Sequence, residues 1–268
     1  MIVGAVFTGW MLAHPVQMPI GDAPADLNAR PVSFESDSGA NVHGWWCPMQ
    51  NGRGTVLLLP GIRANRLSMV GHARFLRRAR YSVLLIDFQG TGESQGDHVT
   101  FGWKESRDVL AAVNFLRSAE PSSRLAIIGS SLGGAAALLA TPPLKVDGLV
   151  LEAVYPTIEI ATRHRLENYL GPLGQFTAPL LLRQLHARLG ISVDDLRPID
   201  HISRVACPLF IISGEKDRNT RPEDTRMLFS RAQCLKELWL VPKAGHVDLH
   251  NAAPTQYESR VLAFLERL

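Results

Sequence analysis

Cysteine is scarce in this chain of 268 residues, and the three that occur stand far apart. Cys47, Cys207 and Cys234 are odd in number and lack the close spacing of a zinc site or of a disulfide framework. They are typical of buried thiols in a reducing compartment. We therefore expect a cytoplasmic location.

A strong charge of either sign is also missing. The 28 basic and 25 acidic residues give a formal net charge of +3, and the basic residues are scattered through the predicted helices. A nucleic acid is not expected as a partner, because proteins that bind one carry a dense basic tract or face. The histidines outside the motifs described below lack metal-ligand spacing. We expect no metal ion and no cofactor.

No apolar run is long enough to span a bilayer. Ile2 to Ala13 is uncharged and largely apolar, but it is too short, and Met1 has no basic flank like that of a signal peptide. A polar stretch with prolines follows and leads to the first predicted strand near residue 31. We expect the run to pack against the body of the protein. The alternative is the remnant of an envelope anchor, which would allow membrane association.

What the chain does have is a regular alternation of apolar strand patterns and helical patterns. With 46% hydrophobic residues, the part from residue 31 to 268 can bury one large core. Strands are expected near 32–34, 42–46, 56–59, 82–87, 125–128, 148–151, 208–212 and 238–241, with helices near 65–80, 102–117, 221–231 and 254–268. This alternation predicts an α/β fold with a mostly parallel sheet.

The most informative motif is Gly129-Ser130-Ser131-Leu132-Gly133, which lies between an apolar strand and an Ala/Leu-rich helical segment. A serine between two glycines at such a junction is typical of a nucleophile elbow, a turn so tight that only glycine-sized neighbours avoid a clash. The serine hydroxyl then projects from the edge of the sheet. The motif predicts that Ser131 is a catalytic nucleophile.

Two later strands end near residues that can activate a serine. Pro208–Ile212 runs into a polar turn with Asp217, and Leu238–Val241 runs into a loop with His246. In a parallel sheet both loops reach the same edge as Ser131. We expect His246 to act as the general base and Asp217 to fix its tautomer, in the chain order Ser, acid, His.

Both roles have rivals. Glu215 and Asp224 are the other acids near this strand end, but Glu215 comes two residues earlier and Asp224 is expected in the first turns of the next helix. His250 is the other base. The position of His246 directly after a strand favours His246.

Backbone N–H groups near the elbow would bind the negative charge that develops on a substrate carbonyl oxygen. One donor is expected from Leu132, the residue after the nucleophile. Another is expected from the tight turn Pro60-Gly61-Ile62-Arg63 after the strand at 56–59. We assign the second donor to Ile62, with Arg63 as the alternative.

Together these motifs resemble the α/β-hydrolase superfamily, and among its members the bacterial serine esterases and lipases with a short lid. The resemblance extends from about Val32 to Leu265 and includes Asp87-Phe88-Gln89-Gly90-Thr91-Gly92-Glu93-Ser94, which is similar to the turn after the family's fourth strand. It implies helices on both faces of the sheet, a small helical lid, and a structural role for Asp87. Gln89 replaces a common arginine and Pro60 a common histidine, and neither change removes the N–H groups expected to donate from Leu132 and Ile62.

The segment from about residue 155 to 200 interrupts the alternation and is too long for a plain connection. Its two helical patterns share an apolar face and carry long basic side chains that can stay in water. The apolar residues are Leu166, Tyr169, Leu170, Leu173, Phe176, Leu180, Leu181, Leu182 and Leu185, and the basic ones are Arg163, Arg165, Arg183 and Arg188. We expect a lid insertion that covers Ser131 and forms a mostly apolar pocket.

These expectations combine into one predicted function. Ser131, Asp217 and His246 would hydrolyse small carboxylic esters of short to medium chain length through an acyl-enzyme. A peptidase, thioesterase or carbon–carbon bond hydrolase on the same triad is the alternative, because fold and triad do not fix the substrate. A binding protein without catalysis is the rival from another class. The sequence indicates no oligomeric state.

Overall fold

The strands of the structure, a computed structural model that describes residues 10–268, form one large sheet and one short ribbon. They are β1 (Val16–Gln17), β2 (Arg30–Glu35), β3 (Asn41–Cys47), β4 (Thr55–Leu59), β5 (Ser82–Ile86), β6 (Thr91–Gly92), β7 (Leu125–Ser130), β8 (Gly148–Glu152), β9 (Leu209–Gly214) and β10 (Lys236–Val241). β1 pairs with β6. The other eight lie in the order β10-β9-β8-β7-β4-β5-β3-β2. The first six of these are parallel and β3 is antiparallel to both neighbours, so the predicted mostly parallel sheet is confirmed.

Helices alternate with the strands, as the sequence predicts. They are α1 (Val70–Arg78), α2 (Glu105–Ala119), α3 (Leu132–Leu139), α4 (Ile158–Leu170), α5 (Gly174–Leu189), α6 (Pro198–His201), α7 (Pro222–Arg231), α8 (Leu249–Ala252) and α9 (Pro254–Leu265). The helix predicted from residue 65 begins as a 3-10 turn, because the Asn65 side chain accepts a hydrogen bond from the Leu67 N–H and caps it.

Two hydrophobic clusters cover the two faces of the sheet. Trp45 and Trp46 are adjacent on β3, so they point to opposite faces, and both are buried. Trp46 belongs to a cluster with residues of α2 and α3, and Trp45 to a cluster with residues of α1 and α9. β4 is buried along its whole length, as expected for a central parallel strand.

A buried ion pair joins the turn after β5 to the residues before α1. Asp87 accepts hydrogen bonds from the N–H groups of Arg66 at 2.7 Å and Glu93 at 3.0 Å, and its carboxylate pairs with the Arg66 guanidinium at 2.8 Å. Arg66 also pairs with Glu93 and stacks over the Trp45 ring. These contacts agree with the structural role that the resemblance implies for Asp87.

A helical insertion between β8 and β9 contains α4, α5 and α6. The Thr157 side chain accepts a hydrogen bond from the Ile160 N–H and starts α4. Gly171 and Gly190 follow α4 and α5 with φ angles of +59° and +66°, which favour glycine and end each helix. α4 and α5 therefore fold back on each other as a helical pair.

The amino-terminal residues that the structure describes lie along the body. Residues 10–13 are helical, and Arg63 donates hydrogen bonds to the carbonyl oxygens of Met11 at 2.6 Å and His14 at 3.2 Å. The rest of the predicted apolar run, residues 2–9, lies outside the described part of the chain. From residue 10 onward, no helix is both long and apolar enough to cross a bilayer.

We expect Arg66→Met to lower the free energy of unfolding by about 3–5 kcal/mol, because it leaves the buried Asp87 carboxylate without its counter-charge. Urea denaturation followed by circular dichroism measures this loss. Arg53→Gln is the matched control, since it removes an exposed pair with Glu266 and should cost about 1 kcal/mol or less. Equal losses in the two variants would contradict the stabilising role of the buried pair.

Candidate active site

Ser131 lies in a strained turn at the carboxyl end of β7. Its φ and ψ angles are +48° and −106°, a sparsely populated conformation that costs a non-glycine residue about 1–3 kcal/mol. The Ser131 N–H donates to the Glu152 carbonyl at 2.7 Å, and the Ser131 carbonyl accepts from the Ala135 N–H at 3.0 Å. This backbone geometry is the one expected of a nucleophile elbow.

The glycines of the motif allow α3 to approach the sheet. A Cβ at Gly133 would lie 2.6 Å from the Leu59 carbonyl oxygen, and one at Gly129 would lie 2.6 Å from the Gly134 nitrogen. A side chain at either position would therefore push the helix away from the strand. The first turn of α3 presents its N–H groups, that of Leu132 among them, beside the elbow.

Asp217 and His246 are hydrogen-bonded to each other. Asp217 Oδ2 lies 2.7 Å from His246 Nδ1, and Oδ1 accepts the N–H groups of Asn219 and Thr220, both at 2.8 Å. The Asp217 side chain is fully buried, and that of His246 is 22% exposed. The bond favours the tautomer with its proton on Nδ1, which leaves Nε2 as the basic nitrogen.

Ser131 reaches the same edge of the sheet as this pair. β7, β8, β9 and β10 are parallel neighbours in continuous register, so the loops that follow them meet at one edge. Within residues 10–268, His246 bonds to Asp217 and not to the Ser131 hydroxyl. In enzymes without substrate such a bond is often long, and it shortens when substrate binds.

The rival residues lie in other networks. Glu215 is exposed and accepts a hydrogen bond from the backbone after β10. Asp224 lies 3.1 Å from a histidine ring of α4, and His250 pairs with a glutamate of α9. In the part of the chain that the structure describes, Asp217 is the one of the three acids that bonds to His246.

The loops after β9 and β10 pass each other very closely. A Cβ at Gly214 would lie 2.4 Å from the Gly245 carbonyl oxygen. The Lys216 N–H donates to the Ala244 carbonyl at 2.8 Å and ties the two loops together. Because position 214 has no side chain, the loop that carries Asp217 can approach the loop that carries His246 this closely.

A cavity of about 460 Å³ opens beside Ser131, a volume typical of small-molecule sites. Leu132, Ile62 of the turn after β4, residues 11 and 12 of the amino-terminal segment, and α4 contribute to its walls. A Cβ at Gly61 would lie 3.9 Å from the Ser131 Cβ. The turn expected to supply a second N–H donor thus lies against the elbow.

The inner face of α4 forms one wall of the cavity. Its lining residues recur at helical spacing and are Ile158, Ala161, Thr162, Arg165, Leu166, Tyr169 and Leu170. Arg165 was grouped with the arginines that can stay in water, but position 165 falls on the inward stripe and its side chain is only partly exposed. The 3.6-residue period, applied to each position of the helix, could have identified it.

The predicted apolar face of the insertion is divided between the cavity and the solvent. Leu166, Tyr169, Leu170 and Leu181 line the cavity, although Tyr169 is also 84% exposed. Leu173 is 66% exposed and Phe176 73% exposed, so these two side chains face solvent at the outer end of the helical pair. Helical spacing alone did not separate the two groups, because the turn between α4 and α5 changes the direction of the chain.

A buried polar cluster beneath the elbow was missed by the sequence analysis. The Glu152 side chain bonds to the Tyr257 hydroxyl and lies 3.4 Å from the His72 ring. Atoms of His72, Asp248 and His250 that could bind a metal lie within 4.8 Å of one another. These residues come from β8, α1, α9 and the start of α8, so no local motif signals the cluster.

Charge attraction within the cluster shifts two pKa values. Burial by itself disfavours the charge on His72, but the Glu152 carboxylate outweighs it and raises the pKa of His72. Burial likewise opposes the charge on Glu152, and the attraction of His72 outweighs it and lowers the pKa of Glu152. Both directions favour the charged forms of two side chains whose atoms lie 3.4 Å apart.

The model of the alpha/beta hydrolase family matches residues 56–260, a range that contains the elbow, Asp217 and His246. The chain belongs to the alpha/beta hydrolase family. The mostly parallel sheet with helices on both faces agrees with this family assignment.

Relatives of this alpha/beta hydrolase cover most of its length. It is 28% identical over 266 residues to the alpha/beta hydrolase domain-containing protein WAV2 of Arabidopsis thaliana. The aligned region covers 93% of this chain and 82% of WAV2. It is 25% identical over 232 residues to YfhR of Escherichia coli K12, spanning 84% and 76% of the two chains.

Solved structures of esterases have the same fold. The Pyrococcus furiosus esterase Pf2001 matches with a TM-score of 0.79 and 25% identity, over 96% of this chain and 98% of Pf2001. An esterase from Exiguobacterium antarcticum matches with a TM-score of 0.65 and 16% identity, over 88% and 99% of the two chains. The second likeness shows the fold alone.

The free energy of unfolding of this alpha/beta hydrolase should fall as pH rises above the ordinary histidine pKa of 6.5. Stabilisation by protonated His72 is complete below its unfolded pKa and is lost as pH rises through its higher folded pKa. Stabilisation by ionised Glu152 is complete above its unfolded pKa and is lost in acid as pH falls through its lower folded pKa.

Urea denaturation of the wild type and of His72→Gln between pH 5 and pH 9 measures this effect. The difference in unfolding free energy between the two proteins should shrink toward alkaline pH. Curves that stay parallel over the whole range would show that folding does not shift the pKa of His72, and a difference that grows toward alkaline pH would show that His72 is neutral in the folded state.

Proposed function

We propose that this protein is a serine carboxylesterase that cleaves esters of short to medium chain length through an acyl-enzyme on Ser131. The observation that carries the proposal is the arrangement at one sheet edge, where a strained serine borders a cavity and a buried carboxylate orients a histidine. Similarity to the esterase Pf2001 over nearly the whole of both chains supports an ester as substrate.

In the proposed reaction, Nε2 of His246 takes the proton of the Ser131 hydroxyl as the Ser131 oxygen attacks the ester carbonyl carbon. Asp217 accepts the Nδ1 proton in a hydrogen bond and stabilises the imidazolium. The N–H groups of Leu132 and Ile62 donate to the oxyanion. His246 then protonates the leaving alcohol, and water activated by the same ring releases the acid from Ser131.

We further propose that the helical insertion, about residues 155–200, acts as a lid. α4 walls the cavity beside Ser131, while the outer end of the helical pair is exposed. Gly171 lies between the two helices with open space around it, which allows backbone torsions to change there. Residues 31–268 would be the hydrolase domain of a cytoplasmic enzyme, and residues 1–30 an apolar segment and linker, of which residues 11 and 12 contribute to the cavity wall.

Ser131→Ala and His246→Ala should each lower kcat for p-nitrophenyl butyrate by about 10⁴-fold, because either change removes the activated nucleophile. Asp217→Asn should lower kcat by somewhat less, since the nucleophile and the base remain. Circular dichroism establishes that each variant is folded. Turnover by folded Ser131→Ala at the wild-type rate would refute the proposal.

Labelling with a fluorophosphonate probe tests the nucleophile without a choice of substrate. The wild type and the control Ser130→Ala should be labelled, and Ser131→Ala should not be. An unlabelled wild type would favour a binding protein on this fold over an enzyme.

The cavity predicts a preference for short to medium acyl chains. Among p-nitrophenyl esters from acetate to palmitate, kcat/KM for palmitate should be at least about tenfold lower than for butyrate, because a cavity of about 460 Å³ leaves little room for a long acyl chain. Leu166→Ala, which enlarges the cavity, should move the optimum to longer chains, whereas Leu173→Ala at the exposed turn should not. Faster turnover of palmitate than of butyrate at soluble concentrations would contradict the assignment of this cavity.

A further inference from the structure

Arg165 is the one charged residue on the inward stripe of α4. The neighbouring positions on this stripe are apolar or uncharged, with Ala161, Thr162 and Tyr169 closest to it in helical spacing. A wall that only excluded water would carry another apolar side chain here. Arg165 instead brings a guanidinium to the same cavity as Ser131.

The other ionisable groups of α4 either have partners or face solvent. Glu159 pairs with Arg197 at 3.3 Å, Glu167 pairs with Arg221 at 2.6 Å, and His164 lies 3.1 Å from Asp224. Arg163 is exposed to solvent. Arg165 is only partly exposed, and within residues 10–268 its guanidinium makes no hydrogen bond or ion pair.

Among the residues that the structure describes, the negative charge near Arg165 is that of Asp217, which attracts the guanidinium without forming an ion pair with it. The Asp217 carboxylate is committed to His246 and to two backbone N–H groups. The Tyr155 hydroxyl donates to the Phe101 carbonyl at 2.6 Å, and burial raises the pKa of Tyr155, so this phenol stays neutral. Enclosure lowers the pKa of Arg165, with Tyr155 and Asp217 opposing the shift, yet an arginine stays protonated in proteins.

A partly exposed cation with no hydrogen-bond or ion-pair partner on the wall of a cavity can bind a ligand that supplies the opposite charge. The planar guanidinium presents paired N–H donors that match the two oxygens of a carboxylate. We propose that Arg165 binds an ionised acid group of the substrate, so that the preferred esters carry a second, negatively charged carboxylate. This inference rests on the proposed ester hydrolysis at Ser131, and it adds a class of substrate to it.

Matched ester pairs test the inference. Monomethyl adipate and methyl hexanoate differ by a charge on the acyl side, and 4-acetoxybutanoate and butyl acetate differ by a charge on the alcohol side. Hydrolysis is followed by titration of released acid at constant pH. For at least one pair, kcat/KM of the wild type should be about tenfold or more higher for the anionic ester than for the neutral ester. The pair with this preference shows whether Arg165 binds a carboxylate on the acyl side or on the alcohol side of the ester.

Three variants assign the preference to the guanidinium. Arg165→Met should bring the ratio of kcat/KM for the anionic to the neutral ester close to one, mainly through KM, and Arg165→Lys should retain part of it. Arg163→Met, on the outer face of the same helix, should retain the full ratio. A preference that survives in folded Arg165→Met would overturn the assignment.

Binding of adipate to Ser131→Ala, measured by calorimetry, separates this inference from the proposed function. Adipate should bind to Ser131→Ala at least about tenfold more tightly than to Ser131→Ala/Arg165→Met. Turnover of neutral esters with no preference for anions and no adipate binding would overturn the inference and leave the hydrolase proposal intact. If adipate binding depends on Arg165 but the wild type is not labelled by the fluorophosphonate probe, the anion site is supported and the proposed ester hydrolysis is overturned.

Discussion

The close approach of α3 to the sheet is the constraint on which the rest of the site depends. With no space for side chains at Gly129 and Gly133, the chain turns from strand to helix in a single residue, and Ser131 takes a positive φ. The strain is held by the hydrogen bond to the Glu152 carbonyl. Because Glu152 and His72 pair in the core below, the geometry at the surface depends on polar packing inside the protein.

The acid and the histidine are brought together by a second close approach of the backbone. The contact at Gly214 lets the loops after β9 and β10 share hydrogen bonds, and the Asp217 carboxylate is fully buried between them. Two N–H groups and the His246 ring compensate the loss of water around that carboxylate. The pair is thus preorganised before any substrate enters.

The cavity combines a mostly apolar wall with two arginines, Arg63, which donates hydrogen bonds to backbone carbonyls, and Arg165, which makes no hydrogen bond or ion pair with the described residues. Apolar residues of α4 exclude water, which strengthens any electrostatic interaction inside. A charge such as that of Arg165 therefore discriminates between ligands more strongly here than it would at the surface. The amino-terminal residues held by Arg63 complete the enclosure, so the cavity is built from parts that are far apart in sequence.

The sequence by itself determined the alternating α/β architecture, the elbow at Ser131 and the loops that carry Asp217 and His246, because each depends on a local strand–turn–helix pattern. Only the tertiary structure decided that Asp217, and not Glu215 or Asp224, bonds to the histidine, since all three acids stand near the same strand end. The tertiary structure also places Arg165 on the cavity side of its helix and brings the residues of the buried polar cluster together. These outcomes depend on which elements pack against each other, and a local pattern contains no information about contacts between distant elements.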